Sequence, residues 1–112
     1  MKTLGQFLIE RRKAVGISQK EMALLIQNRD GQPLSATYLN YLEHERGKPP
    51  DYLLDQFATV LNVERDVLYF LAQRMPPDIR PDEATESEIT AAYRAFRREL
   101  KSKGGGKGGK KS

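Results

Sequence analysis

Cysteine is absent from this 112-residue sequence, and histidine occurs only once, as His44. Without thiols, the chain forms no disulfide bond and supplies no thiolate nucleophile or cysteine ligand for zinc or an iron–sulfur cluster. Any metal cluster or nucleophile–base pair would have to be built around one imidazole. Because no phosphate-loop motif is present either, we expect a protein that is not an enzyme and uses no metal or cofactor.

Long hydrophobic runs and alternating strand patterns are also missing. No stretch approaches the ~18–20 apolar residues that a helix needs to cross a bilayer, and residues 1–6 lack the apolar segment of a secretory signal. We therefore expect a cytoplasmic protein without a membrane partner. The length and the hydrophobic content of 38% fit one small helical domain with appendages.

Basic charge is concentrated at one end of the chain. Residues 1–100 hold 14 Lys and Arg against 15 Asp and Glu, whereas residues 101–112 hold five lysines and no acidic residue. The net charge of +4 therefore comes from the tail. Any basic surface on the domain itself must arise from local segregation of charge.

Apolar residues at helical spacing predict five helices before residue 76. The first is capped by Thr3 and ended by Gly16. Ser18 and Glu21 form a capping box at the start of the second helix, and Ser35 caps the third. The apolar face of the first helix consists of Leu4, Phe7, Leu8 and Val15.

Pairs of prolines separate the later segments. The pair at 49–50 stops the chain, and Asp51 is expected to cap the fourth helix. The apolar positions of the fourth and fifth helices are Leu53, Leu54, Phe57, Ala58, Leu61, Val67, Leu68 and Leu71. The pair at 76–77 ends the fifth helix, so we predict a domain at 1–75 and a linker at 76–84.

An additional amphipathic helix is predicted at residues 85–101. Thr85 and Glu88 form its capping box. Its apolar stripe includes Ile89, Tyr93, Phe96 and Leu100. This stripe must be buried either against the rest of the chain or against a second copy, and we favour a homodimer. Residues 102–112 hold no apolar side chain and are predicted to be a disordered basic tail.

The third helix, residues 35–43, carries small or polar groups on its outward positions. Thr37 offers a hydroxyl and a methyl group, while Asn40 and Tyr41, about one turn along, reach base edges or phosphates. Leu39 and Leu42 lie on the inward side and hold the helix to a core. A helix enters the major groove of DNA only if its tip is slim and carries such groups. The second and third helices therefore predict a DNA-reading pair.

Residues 4–72 resemble the Cro/CI-type (XRE-type) helix-turn-helix domain. The resemblance rests on the order and spacing of several short blocks and not on a single motif. The matching blocks are Arg12, residues 16–23, residues 35–43, Pro49, residues 53–63 and Leu68.

The resemblance implies an all-α, five-helix lambda-repressor-like bundle, outside which lie the C-terminal helix and the basic tail. It also implies a sequence-specific transcriptional regulator that binds a double-stranded DNA operator as a homodimer, with residues 35–43 as its recognition helix. Repression is favoured over activation because a bound dimer occludes a promoter. Such a protein is encoded by a bacterium or a phage and is associated with the nucleoid when bound.

Site residues follow from the positions that match the family. Gln19 matches a glutamine that bonds a phosphate and steadies the recognition helix, and Arg12 and Glu43 match a structural ion pair between the first and third helices. Bases are commonly faced from the positions of Ala36, Thr37 and Tyr41. The implied DNA-binding residues are Gln19, Lys20, Arg29, Ser35, Ala36, Thr37, Asn40, Tyr41, His44, Arg46 and Lys48.

The chain departs from the family in two places. Residues 27–34 form a longer connection than the tight turn that usually joins the second and third helices in the family. This leaves the orientation of the recognition helix open and allows Arg29 to add a phosphate contact. Glu45 stands where the family commonly has a glycine, two residues after Glu43, so we expect the recognition helix to run a little longer.

Two alternative functions stay open. In the first, the protein is an antitoxin, or a phage or plasmid control protein, that binds DNA and also a protein partner. In the second, it is a protein-interaction module that kept the fold and lost DNA binding. The near-neutral charge of residues 1–100 supports the second alternative.

Overall fold

The computed structural model describes the backbone of residues 2–108 and the side chains of residues 2–101. Apart from one isolated β-bridge, every regular element in these residues is helical, which confirms the all-α class. The chain divides between Pro76 and Pro77 into two compact units. The first unit contains α1 (Leu4–Val15), α2 (Gln19–Leu25), α3 (Ala36–Glu43), α4 (Asp51–Leu61) and α5 (Arg65–Leu71). The second contains a 3₁₀ turn (Pro81–Glu83) and α6 (Glu86–Gly108).

Side-chain caps define the starts of the first three helices. Thr3 and Ser18 each accept from the backbone N–H three residues further on and receive a bond from that residue's side chain, which completes two capping boxes. Ser35 Oγ accepts from the Tyr38 N–H at 3.0 Å. Gly16 ends α1 with a φ of 88°, a conformation that glycine adopts without the steric penalty of a Cβ atom. The capping predictions for α1, α2 and α3 are confirmed.

The predictions that Asp51 caps α4 and that Val15 lies on the buried face of α1 are wrong. Asp51 does not cap α4 but is its first helical residue, and Pro50 occupies the N-cap without a side-chain hydrogen bond. The Asp51 carboxylate instead lies 2.7 Å from Arg74 Nη1 in an ion pair. Val15 is 42% exposed, because it is the last residue of α1 and the chain turns away from the core at Gly16.

The buried side chains of α1–α5 form one hydrophobic core. All five predicted apolar positions of α4 are buried, and α5 contributes Leu68 and Tyr69, both fully buried. Tyr69 was not among the expected core residues, whereas Val67 is 39% exposed. The burial of both Leu68 and Tyr69 turns the core face of α5 away from Val67.

The long connection at 27–34 is ordered by its own backbone and by α4. The Leu34 N–H donates to the Ile26 carbonyl oxygen at 2.8 Å, and both side chains are buried. Between them, Asn28 Oδ1 accepts from two backbone N–H groups within the connection, those of residues 30 and 32. The Gln56 side chain of α4 then bonds both the N–H and the carbonyl of Gln27, at 2.8 and 2.9 Å.

The C-terminal helix begins as predicted and ends later. Thr85 and Glu88 form the expected capping box. The helix continues to Gly108, so the predicted end at residue 101 is too early and the predicted disorder is wrong for the backbone of residues 102–108. No proline interrupts this segment, and lysines near a helix C-terminus are favoured by the helix dipole. The last part of the predicted disordered tail, residues 109–112, lies outside the described residues.

Candidate functional site

A buried ion pair joins α1 to the C-terminal end of α3. Arg12 Nε and Nη2 donate to the two carboxylate oxygens of Glu43, at 2.8 and 3.1 Å. The side chains of Arg12 and Glu43 are only 10% and 0% exposed. Removing either partner would leave the other charge buried without its counter-charge, which costs about 3–5 kcal/mol. The structure thus brings together the two residues that the resemblance assigns to a structural pair.

Gln19 joins α2 to the same carboxylate. Its Nε2 donates to Glu43 Oε1 at 2.8 Å, and the side chain is half-buried at the first position of α2. Glu43 therefore accepts from α1 and α2 together and fixes the end of α3 against both. Gln19 holds α3 in place, as the resemblance implies, and its second amide N–H is a donor not used by Glu43.

The outer surface of α3 is formed by small and polar side chains. Thr37 and Tyr41 are exposed, while Ala36 and Asn40 are half-buried. Leu39 and Leu42 are buried in the core on the opposite side. The helix is therefore fixed along its inner side and accessible along its outer one.

The Tyr41 ring is held in a defined position. It stacks on the Tyr38 ring with a centroid distance of 6.0 Å and an interplanar angle of 23°. A Cβ atom placed on Gly47 would overlap the Tyr41 ring. Gly47 therefore lets the chain after α3 pass close beneath the ring. Aromatic stacking and this close passage orient Tyr41 in the free protein.

Two candidate DNA-binding side chains also have local roles at the ends of α3. The Ser35 hydroxyl oxygen caps the helix by accepting from the backbone, and its O–H remains available to donate to a phosphate. His44 Nδ1 lies 2.9 Å from the Asn40 carbonyl oxygen. Because a carbonyl only accepts, Nδ1 carries the proton in this contact and Nε2 is the nitrogen that faces other partners.

The C-terminal end of α3 corrects the expectation of a longer helix. The helix ends at Glu43, and Glu45 adopts a left-handed conformation with a φ of 61°. The N–H groups of Glu45 and Arg46 donate to the carbonyls of Leu42 and Tyr41, both at 3.1 Å. These two bonds are those of a Schellman motif, whose left-handed position is usually glycine. Glu45 therefore ends the helix as a glycine would.

A contact with α1 compensates for this unfavourable backbone conformation. The Glu45 carboxylate accepts from the Gly5 N–H in the first turn of α1, where helix N–H groups lack intrahelical partners and negative charge is favoured. A Cβ atom on Gly5 would overlap the carbonyl oxygen of Glu43. Gly5 was missed from the sequence, although a glycine in the first turn of a predicted helix is a signal of close backbone approach.

Arg29 is the one candidate cation positioned by the long connection. Its guanidinium lies 4.5 Å from the centroid of the Tyr52 ring on α4. Cation–π contact occupies one face of the guanidinium and leaves its planar edge available for a phosphate. The candidates Lys20, Arg46 and Lys48 are exposed, the first in the first turn of α2 and the other two in the segment that follows α3.

Comparison with known proteins identifies no relative. No protein-family model, no curated protein and no solved structure matches the chain. Within residues 2–108, no helix has both the length and the apolar character needed to cross a bilayer. Among the side chains that the structure describes, no cluster of three or more His, Asp or Glu is arranged to hold a metal ion. The function must therefore be argued from the geometry of α1, α2 and α3.

Proposed function

We propose that the first unit is a lambda-repressor-like helix-turn-helix domain of the Cro/CI type and that the protein is a sequence-specific transcriptional regulator. The anchoring of α3 carries this proposal. Glu43 is bonded to both Arg12 and Gln19, while Thr37 remains exposed on the outer side. A recognition helix needs this combination, because base contacts require a rigidly held helix with accessible side chains.

In the proposed mechanism, the N-terminal half of α3 enters the major groove. Thr37 contacts a base edge through its hydroxyl or a thymine methyl through its own methyl group. Tyr41, oriented by Tyr38 and Gly47, reaches a base edge or phosphate from the next turn. Phosphate contacts position the domain without reading sequence, and they are assigned to Gln19, Lys20, Arg29, Ser35, Asn40, His44, Arg46 and Lys48.

The regulatory output is repression by a homodimer that covers a promoter. Two symmetry-related α3 helices would read two half-sites about one turn of DNA apart, or 10–10.5 bp centre to centre. Dimerisation through the apolar stripe of α6 supplies the second copy. This arrangement predicts a palindromic operator.

Selection from a random duplex pool tests the proposal first, followed by affinity measurements on the selected sequence at fixed salt. The test variant is Thr37→Ala with Tyr41→Phe, which removes both outward hydroxyl groups and keeps the ring against Gly47. We expect affinity to fall roughly 10- to 100-fold, since a good base contact is worth about 1–3 kcal/mol. Preference at the contacted base pairs should also be relaxed.

The matched control is Thr59→Ala with Ser87→Ala. Both residues are exposed on other helices and lie outside the apolar stripe of α6, so two hydroxyl groups are again removed, but away from α3 and from the proposed dimer contact. Unchanged affinity and unchanged base preference in the α3 variant would exclude α3 as the recognition helix. Circular dichroism of both variants establishes that the fold is retained.

A protein-interaction module is the second candidate function. Leu24 and Leu25 of α2 are 63% and 60% exposed, and residues 1–100 carry a slight excess of acidic groups. These two leucines leave apolar side chains in water, which a protein partner would cover. If the wild-type chain selects no sequence and a chain ending at Leu100 binds no duplex DNA at low salt, this candidate replaces the first.

A further inference from the structure

Four basic side chains lie on one face of α6. Arg94 lies three and four residues before Arg97 and Arg98, and Lys101 lies four and three residues after them, which places the four on the same side of successive turns. All four are exposed, and together they line one shallow depression of about 490 Å³. This set is called the basic face of α6.

The basic face has no counter-charge of its own. None of its four side chains forms an ion pair with an acidic group among the described side chains. Glu99, the nearest acidic residue in sequence, lies three or four positions from none of them. Arg94 and Arg98, and likewise Arg97 and Lys101, are like charges at i,i+4, which destabilises an isolated helix. The arrangement therefore suits an anionic partner better than it suits the helix alone.

Charge across the whole sequence points to the same segment. Residues 94–112 hold eight Lys and Arg against one Glu, whereas residues 1–93 hold 11 against 14 acidic residues. Long-range attraction to a polyanion depends on net charge and its distribution. The first unit, residues 1–76, holds ten Lys and Arg against nine acidic residues. It is therefore nearly neutral and supplies little of that attraction, whereas residues 94–112 supply most of it.

We propose that the basic face of α6 binds the phosphate backbone of duplex DNA without reading its sequence. The proposal rests on the proposed function for the choice of DNA as the partner. From residue 94 to residue 101 the face extends about 10 Å along the helix, a length over which one DNA strand presents about three phosphates. Arginine pairs with phosphate in a planar, bidentate manner. The first unit reads sequence, and α6 supplies salt-dependent affinity.

The test measures binding of the full chain to a random-sequence duplex over a range of salt concentrations. The variant is Arg94→Gln with Arg97→Gln and Arg98→Gln, since glutamine keeps high helix propensity. Each lost phosphate contact lowers the log–log salt slope by about 0.9. We therefore expect the slope to fall by about 2–3 and the affinity at low salt to fall at least tenfold. Binding to anionic phospholipid vesicles is measured in parallel.

The matched control is Lys2→Gln with Lys13→Gln and Arg80→Gln, which removes the same formal charge from exposed positions outside α6. A salt slope that is equal in the α6 variant and the control overturns the proposal. It is also overturned if the wild-type chain binds vesicles and not duplex DNA. Failure of the sequence-reading function is a separate result, seen as the absence of a selected motif while random DNA is still bound through α6.

Discussion

At the residue scale, the buried hydroxyl of Tyr69 links α5 to α4. Its oxygen lies 3.2 Å from the Asp51 carbonyl oxygen and 3.1 Å from Asp55 Oδ1, both of which are acceptors. The Arg65 guanidinium lies 5.6 Å from the centroid of the ring. Burial, followed by the hydrogen bond to Asp55, raises the pKa of Tyr69 from 10.0 to about 12. The folded protein therefore retains this proton more firmly than the unfolded chain does.

This pKa shift predicts a loss of stability at high pH. As the pH rises from about 10 to about 12, Tyr69 loses its proton in the unfolded chain first, so the free energy of unfolding falls. The loss amounts to about 2–3 kcal/mol once the pH exceeds the folded-state pKa. Tyr69→Phe removes this titration, and urea unfolding at intervals between pH 8 and pH 12 should show a shallower decline than in the wild type.

The comparison of Tyr69→Phe with the wild type isolates one group, because the other four tyrosines are present in both chains. Tyr41→Phe, at an exposed position on α3, is the control and should follow the wild-type curve. Parallel declines for Tyr69→Phe and wild type would contradict the assignment of the shift to Tyr69.

At the scale of elements, the connection between α2 and α3 is an ordered part of the first unit. Its two buried ends, Ile26 and Leu34, are bonded to each other, and its first residue is clamped by Gln56 of α4. Arg29 rests on Tyr52 of the same helix. The longer connection is therefore held against α4, and its two ends stay next to each other. We expect the orientation of α3 to depend on the hydrogen bonds between Gln56 and Gln27.

Gln56→Ala tests the clamp. Loss of two hydrogen bonds, each worth about 0.5–1.5 kcal/mol net, should lower the free energy of unfolding by about 1–3 kcal/mol. Hydrogen exchange at the Gln27 amide, which donates to Gln56 Oε1, should become much faster. Gln32→Ala is the control because this exposed side chain lies on the same connection. If Gln27 exchange is equally slow in both variants, Gln56 does not order the connection.

At the scale of the whole molecule, the part of the chain to which we assign sequence reading is not the part that carries the basic charge. The first unit carries the anchored α3, while α6 carries the basic face and an apolar stripe. Ile89 and Leu100 in this stripe are 43% and 53% exposed. A helix stripe of this kind gains stability when a second copy covers it, which is why we propose α6 as the dimer contact.

Ile89→Glu with Leu100→Glu tests the homodimer. The wild-type chain should sediment as a dimer, and the variant should sediment as a monomer because two charges would have to be buried in the contact. Thr90→Glu places a charge on an exposed position outside the stripe and should remain dimeric. A wild-type chain that is monomeric at micromolar concentration, or a variant that stays dimeric, would contradict the prediction.

The sequence alone determined the features that depend on neighbouring residues. Thr3, Ser18 and Ser35 cap their helices because the bonds they make reach only three residues along the chain, and the helical spacing of apolar residues predicted the buried face of α4. The resemblance, and no local pattern, singled out Arg12 and Glu43, which the structure brings into contact.

Only the tertiary structure decided how distant segments constrain one another. The carboxylate of the left-handed residue Glu45 reaches the N–H of Gly5, which is far away in sequence. Gln56 of α4 bonds Gln27, which lies on the other side of α3 in the sequence. Tyr69 is buried because Asp51 and Asp55 satisfy its hydroxyl. Local propensity cannot reveal such contacts, since each depends on the approach of backbones and side chains that are close only after folding.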